Sequence, residues 1–219
     1  MKFFFDEKKN TPLCEIMGRN QSDKGHINIM ECWHNYTTFY YSIFKELRYK
    51  KLRIFELGLG TNNTSIQSNM GPNGRPGASL YGWEEFFPNS EIFGADIDSD
   101  ILFNSDKIKT FYCDQINPYV IKYMWNEPIL QENFDIIIED GLHTFDANVC
   151  FFENSIHKLN QNGYFIIEDI NKYEEDLFIN KIKEWENQYT DCSFTLLNIP
   201  SYQNNTDNTL LVVFRYPSV

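Results

Sequence analysis

Residues 134–139 read FDIIIE, and this stretch decides the fold because three consecutive isoleucines form a short, continuous apolar run. Such a run predicts a strand that is buried on both faces, as in a parallel sheet. Apolar residues then recur at steps of four and three, at Phe145, Val149, Phe152, Ile156 and Leu159. That spacing predicts the apolar face of a helix. A strand followed directly by a helix is typical of α/β folds.

The rest of the chain repeats this alternation. Apolar runs predict strands at 52–57, 91–97, 108–113 and 164–167, and periodic segments predict helices at 34–50, 79–87, 119–125 and 174–189. We expect Asn162-Gly163 to end the helix that begins near residue 145. The runs at 194–199 and 210–216 are joined by a polar loop and should pair antiparallel. The sequence therefore predicts an α/β, doubly wound, mostly parallel Rossmann-like sheet with a C-terminal antiparallel strand pair.

Composition and charge exclude several classes of protein. The chain has 219 residues, a length that suits a single domain. Its formal net charge of −12 would repel the phosphate backbone of a nucleic acid. No apolar run approaches the ~18 residues of a membrane helix, so we expect no membrane span. The phenylalanines at 3–5 are too short a run for a signal peptide. The five cysteines form no C-x-x-C pair, which favours reduced thiols and a cytoplasmic location.

A glycine-containing turn, ELGLGT at residues 56–61, follows the first predicted strand. Its glycines would let a ligand approach the backbone closely. An NAD(P)-dependent oxidoreductase is a disfavoured alternative, because Asn63 replaces the third glycine and the next strand-end acid, Asp96, comes far beyond the ~20 residues typical of NAD sites. Residues 62–77 form a long polar loop, and long loops in compact domains are usually functional or disordered.

Acidic residues follow the next two strands as well. Asp96 and Asp98 come after the second predicted strand, and Asp114-Gln115 comes after the third. A carboxylate at this edge can accept both hydroxyl hydrogens of a ribose, and Asp114-Gln115 can recognise an adenine amino group or another donor. Because ligands bind beyond the carboxyl ends of parallel strands, we expect a cofactor to lie along this edge.

Three more acids, Asp140, Glu168 and Asp169, follow the fourth and fifth predicted strands. Unpaired carboxylates at one point would raise one another's pKa, and a divalent cation removes that cost. Oxygen ligands suit Mg²⁺, Mn²⁺ or Ca²⁺. His143 stands three residues after Asp140 and is our candidate general base for a substrate hydroxyl.

The other histidines and the N-terminal segment carry weaker signals. His26, His34 and His157 lack the acidic company of His143, and His157 falls within a polar stripe typical of a protein surface. Lys24 precedes the core in a segment without a strand of its own, and an exposed lysine is the ordinary expectation there.

Taken together, these residues resemble the class I S-adenosylmethionine-dependent methyltransferases. The resemblance is carried by ELGLG at 56–60, Asp96, Asp114 and the strand that leads to Asp140. More narrowly, DGLH at 140–143 with Glu168-Asp169 is similar to the D-G-S-H and E-D pattern of metal-dependent sugar O-methyltransferases of the mycinamicin and macrocin type. Three further segments resemble relatives encoded among surface-polysaccharide biosynthesis genes: SDKG at 22–25, HNY at 34–36 and the stretch at 76–88.

The resemblance implies a role for each matching position. It implies cofactor-binding roles for Glu56, Gly58, Gly60, Asp96, Asp114, Gln115 and Lys24. Asp98 is a further cofactor-binding candidate because it lies beside Asp96 at the strand end. It implies Mg²⁺ or Mn²⁺ ligands at Asp140, Glu168 and Asp169, with His143 and Asp140 as the catalytic residues. Residues 1–50 are then an N-terminal helical lid or extension, and 51–219 are the S-adenosylmethionine-binding core. The implied activity is methyl transfer to a hydroxyl of a sugar or surface-glycan precursor.

The sequence also departs from this family's pattern. Leu142 stands where the family has Ser, and Glu139 stands where Asp is common. The large N-terminal domain of the macrolide enzymes has no counterpart here. The resemblance therefore does not identify the methyl acceptor, and a homo-oligomer is one possible arrangement. Three alternatives remain: a methyltransferase for another small acceptor (a phosphorylated metabolite, an amine or a catechol), the NAD(P) oxidoreductase, and a non-catalytic nucleotide-binding module.

Overall fold

A computed structural model describes residues 2–25 and 33–218, and a seven-stranded sheet runs through this part of the chain. In chain order the strands are β1 Arg53–Leu57, β2 Glu91–Asp96, β3 Ile108–Tyr112, β4 Phe134–Glu139, β5 Leu159–Ile170, β6 Cys192–Asn198 and β7 Thr209–Arg215. They lie in the order β3-β2-β1-β4-β5-β7-β6. Strands β1 to β5 pair parallel, and β7 pairs antiparallel with β5 and β6. The predicted sheet is confirmed.

Helices cover both faces of the sheet. They are α1 Pro12–Arg19, α2 Tyr36–Phe44, α3 Ala78–Phe86, α4 Pro118–Trp125, α5 Phe145–Ser155 and α6 Glu175–Gln188. One apolar layer joins the sheet to α1, α2 and α3, and a second joins it to α4, α5 and α6. None of the helices described is long and apolar enough to cross a membrane.

Helix α1 was not predicted from the sequence, because its apolar pattern covers barely two turns. Thr11 caps its first turn by accepting a hydrogen bond from the Cys14 amide at 3.3 Å, and Pro12 occupies the first position, where no amide proton is needed. Leu13 and Met17 are fully buried in the layer that also contains β1. The segment before residue 50 therefore shares a core with the sheet.

The predicted helix end at Asn162-Gly163 is wrong. Helix α5 ends at Ser155, and both residues lie inside β5, where its register against β4 shifts between Phe134 and Ile136. Asn162 has a φ of +61°. A strand irregularity and a helix C-terminus both use left-handed residues, so the dipeptide alone does not distinguish them.

Strand β5 is also longer than predicted, and its extra length includes Glu168 and Asp169. Glu168 and Asp169 do not follow the strand but lie within it, where its register against β7 shifts between Ile167 and Ile170. Asp169 has a φ of +56°. Successive residues of a strand point to opposite sides, and at this irregular end Glu168 and Asp169 contact different partners.

Candidate active site

A cavity of about 350 Å³ opens beyond the carboxyl ends of the central strands. Most of the predicted site residues line it: Gly58, Gly60, Asp96, Asp114, Gln115, Asp140, His143 and Asp169. Four predicted site residues are not among the lining residues: Lys24, Glu56, Asp98 and Glu168. The predicted set therefore divides into a cavity wall and a group of charged side chains behind that wall.

The glycine turn forms the floor of the cavity. Gly58 has a φ of +90°, and a Cβ at this position would lie 1.7 Å from the Asp140 carbonyl oxygen. Its amide donates to the Ala95 carbonyl at 2.8 Å, and the Leu59 amide donates to Asp96 Oδ2 at 2.7 Å. The turn thus connects the ends of three neighbouring strands, and only glycine fits at position 58.

Asp96 and Asp98 hold the loops beside this turn. Asp96 accepts the Asp98 amide on Oδ1 at 2.8 Å, and burial raises the pKa of its carboxyl even though these backbone hydrogen bonds lower it. Asp98 accepts hydrogen bonds from the Thr61 hydroxyl and from the Asp100 amide. Asp96 therefore faces the cavity, whereas Asp98 fixes the loop that begins at Thr61.

Gln115 links the ends of β3 and β4. Its Nε2 donates to Glu139 Oε1 at 2.8 Å, and its Oε1 accepts the Leu142 amide at 2.7 Å. Burial raises the pKa of Glu139 to about 7, and among the described residues its Oε2 has no hydrogen-bond partner. The Gln115 amide is thus used within the protein, and Asp114 is the nearby acid that lines the cavity.

Lys24 is a buried counter-ion and not the surface residue that is ordinarily expected. Its Nζ lies 2.5 Å from Asp140 Oδ2, 2.6 Å from Glu168 Oε2 and 3.4 Å from Glu56 Oε1, and the residue is 1% exposed. Burial alone would lower the pKa of this ammonium, but the three carboxylates raise it well above its usual value. Tyr40 donates its hydroxyl hydrogen to Glu168. Glu168 therefore has two buried partners behind the cavity wall.

Asp140, His143 and Asp169 form a second acidic cluster, this one on the cavity wall. Each offers one ligand atom, and these atoms lie within 4.8 Å of one another. His143 Nε2 is 3.8 Å from Asp140 Oδ1, and its Nδ1 is 3.7 Å from Asp169 Oδ2. Burial lowers the pKa of His143, but Asp169, Asp140 and Glu139 outweigh it and the net direction is upward.

This cluster fits a divalent cation by its chemistry. The two carboxylates suit Mg²⁺ or Mn²⁺, which prefer oxygen ligands, and the imidazole beside them remains the candidate general base. Among the described residues, the buried His143 Nδ1 has no hydrogen-bond partner. His143 also has a φ of +56°, a conformation that costs a non-glycine residue free energy and is concentrated at functional sites.

His34 is a cavity residue although no cluster of strand-end acids accompanies it in the sequence. It lines the cavity, is 3% exposed, and its Nε2 lies 3.5 Å from Asp169 Oδ2. Its ring stacks on Tyr36 with 4.6 Å between centroids. The one sequence signal was the resemblance at 34–36. Of the other histidines without such acids, His157 is exposed and His26 lies outside the described residues.

Two solved methyltransferase structures have a fold similar to that of this chain. MycE from the mycinamycin biosynthetic pathway, in complex with Mg and SAH, matches with a TM-score of 0.70 over 95% of this chain and 56% of that chain, at 21% identity. The chain has the class I methyltransferase fold. The human methyltransferase-like protein 13, in complex with SAH, matches with a TM-score of 0.53 at 18% identity, over 76% of this chain and 73% of that one.

Curated relatives of this chain are sugar O-methyltransferases. An 8-demethyl-8-(2-methoxy-alpha-L-rhamnosyl)-tetracenomycin-C 3'-O-methyltransferase of Streptomyces olivaceus is 28% identical over 72% of the chain. A mycinamicin VI 2''-O-methyltransferase of Micromonospora griseorubida is 28% identical over 63%. The chain spans 36% and 32% of the lengths of these two relatives. No protein-family model matches the chain.

Proposed function

We propose that this chain is a divalent-metal-assisted, S-adenosylmethionine-dependent O-methyltransferase that acts in the cytoplasm on a hydroxyl of a sugar or surface-glycan precursor. The observation that carries the proposal is the cavity, which is lined by both the glycine turn and the Asp140–His143–Asp169 cluster. The names of the sugar O-methyltransferases among the relatives support it. MycE, which has the same fold, was crystallised with Mg and SAH.

The cofactor end of the cavity has the groups that a nucleoside needs. Asp96 offers a carboxylate to the ribose hydroxyls, and Asp114 offers one to the adenine amino group. Ile97 and Ile116 also line the cavity and are partly exposed, so they give the adenine ring apolar surfaces. Glu56, Asp98 and Lys24 would support cofactor binding from behind the wall.

The acceptor end has a different chemistry. Trp33 is 48% exposed at the cavity edge, and Asp23 and Asp207 line the cavity beside it. A sugar combines hydroxyl donors with an apolar ring face. Carboxylates accept hydrogen bonds from the hydroxyls, and an aromatic ring packs against the apolar face. These residues fit a polyol acceptor.

The reaction is a displacement in which His143 removes a proton. A bond forms between the acceptor oxygen and the methyl carbon, the carbon–sulfur bond of the sulfonium breaks, and the hydroxyl proton passes to His143. Asp140 and Asp169 hold His143 between them and would bind the cation, which supplies Lewis-acid activation of the acceptor hydroxyl when bound. Glu168 stays a predicted ligand, and its contacts with Lys24 and Tyr40 would have to change for it to bind.

Two linked measurements test the function. We expect titration calorimetry to detect binding of S-adenosylhomocysteine and not of NAD⁺, and we expect radiolabelled methyl transfer to a panel of nucleotide-linked deoxysugars. His143→Ala should lower turnover by about 10²-fold or more, since general-base catalysis contributes about that much, and should leave the cofactor Kd nearly unchanged.

The matched control is His157→Ala, which alters an exposed histidine away from the cavity. EDTA should abolish turnover, and added Mg²⁺ or Mn²⁺ should restore it. Wild-type turnover in His143→Ala would contradict the base assignment, and full activity in EDTA would contradict metal assistance.

A further inference from the structure

His34 occupies a position that neither the cofactor nor the proton transfer explains. It belongs to the segment before the core, yet it is buried beside Asp169 on the cavity wall. Its Nε2 faces Asp169 Oδ2 at 3.5 Å, and on the other side of the same carboxylate the Tyr36 hydroxyl donates to Oδ1 at 2.6 Å. Both oxygens of this one carboxylate are therefore approached by side chains from the N-terminal segment.

A role in packing alone does not account for this histidine. Its Nδ1 is buried and has no hydrogen-bond partner among the described residues. An unsatisfied buried acceptor costs about 1–3 kcal/mol, and an apolar side chain of similar size would avoid that cost. The position is thus not optimised for stability, although the ring stacks on Tyr36. Its remaining nitrogen faces the carboxylate.

We propose that His34 is a positioning residue for the cation site, an inference that rests on the proposed function. With its proton on Nε2, His34 orients Asp169 Oδ2 while Tyr36 orients Oδ1, and the carboxylate then faces the cation in one orientation. The 3.5 Å separation is long for a hydrogen bond, but hydrogen bonds at catalytic sites often shorten only in the loaded enzyme. Residues that orient a metal-binding carboxylate in this way typically contribute 10- to 100-fold to metal affinity.

The test is Mn²⁺ binding to the full chain, measured from the electron paramagnetic resonance signal of free Mn²⁺. His34→Gln places an amide N–H near the position of Nε2, whereas His34→Leu fills similar space without a donor. We expect His34→Leu to weaken Mn²⁺ binding by about 10-fold or more. We expect His34→Gln to stay within about 3-fold of wild type, and both variants to bind S-adenosylhomocysteine with unchanged Kd. His157→Leu is the control for loss of a histidine elsewhere.

Each outcome decides a separate point. Equal Mn²⁺ affinity of His34→Leu and His34→Gln would overturn the inference, because only one of them carries the donor. If His34→Leu does not fold, His34→Asn replaces it, since its amide lies near Nδ1 and away from Asp169. Equal affinity of the Asn and Gln variants would then overturn the inference. A wild-type chain that binds no Mn²⁺ would instead contradict the metal-assisted function itself.

Discussion

At the scale of single residues, the buried charges of the site depend on one another. Lys24 is the shared cationic partner of Glu56, Asp140 and Glu168, and without it the buried Glu56 and Glu168 would lose their cation. Burial raises the pKa of Glu168, and Lys24 lowers it only in part. A buried ion pair adds little net stability, but removal of one partner is costly.

Lys24→Met should therefore destabilise the metal-free chain by about 3–5 kcal/mol, because the carboxylates remain buried without their counter-ion. Urea denaturation followed by circular dichroism measures the free energy of unfolding. Lys122→Met is the control, since Lys122 is exposed on α4. A loss below about 1 kcal/mol would show that these carboxylates do not depend on Lys24.

Gly58→Ala should abolish cofactor binding, because the new Cβ would meet the Asp140 carbonyl at 1.7 Å at a φ of +90°. Gly71→Ala is a matched control with a φ of +74° and nothing within 4 Å of the new Cβ. We expect the control to cost about 1–2 kcal/mol of stability and to keep its Kd for S-adenosylhomocysteine. Retained binding in Gly58→Ala would contradict the close packing of the turn against β4.

The site residues that directly follow strands were easier to predict from the sequence than those that the N-terminal segment contributes. Asp96, Asp114 and His143 could be predicted because a parallel sheet brings its strand ends to one edge. The burial of Lys24 and His34 could not be predicted from periodicity, because Glu168 and Asp169, which they contact, lie more than a hundred residues away along the chain. A segment without strand or helix periodicity carries no signal of where it folds.

At the scale of elements, helix α1 and the irregular end of β5 determine how the site is assembled. The left-handed residue Asp169 turns its carboxylate to the cavity wall while Glu168 contacts Lys24 behind it. Helix α1 packs against α2 and α3 and is followed directly by the segment that carries Lys24. Periodicity predicted the long helices and strands. Helix α1 depends on its Thr11 cap and the irregular end of β5 on a register shift, and periodicity predicts neither.

Leu13→Ala in α1 should destabilise the chain by about 2–5 kcal/mol, because Leu13 is fully buried in the core that it shares with β1. Glu15→Ala on the exposed face of the same helix should change the unfolding free energy by less than about 0.5 kcal/mol. Chemical denaturation should show a single transition in both variants. A change as small in Leu13→Ala as in the control would mean that α1 is an appended segment.

At the scale of the whole molecule, the strand order explains why the site lies where it does. Chain connections reverse direction between β1 and β4 at the centre of the sheet, and ligands of α/β sheets bind in the crevice at that point. The glycine turn follows β1, and Asp140 follows β4. The alternation of strands and helices predicted a doubly wound sheet with ligands beyond its strand ends, but not the order of the strands. The acceptor could not be predicted, because loops determine which acceptor fits the cavity.

A crystal structure of the full chain with S-adenosylhomocysteine and Mn²⁺, with anomalous diffraction to locate the metal, would show directly whether this cavity binds both the cofactor and the cation. We expect the nucleoside beside Asp96 and Asp114, and a single anomalous peak about 2.1 Å from carboxylate oxygens of Asp140 and Asp169. A cavity that stays empty at saturating S-adenosylhomocysteine would contradict cofactor binding at this site. Mn²⁺ bound away from these two carboxylates would contradict the proposed cation site.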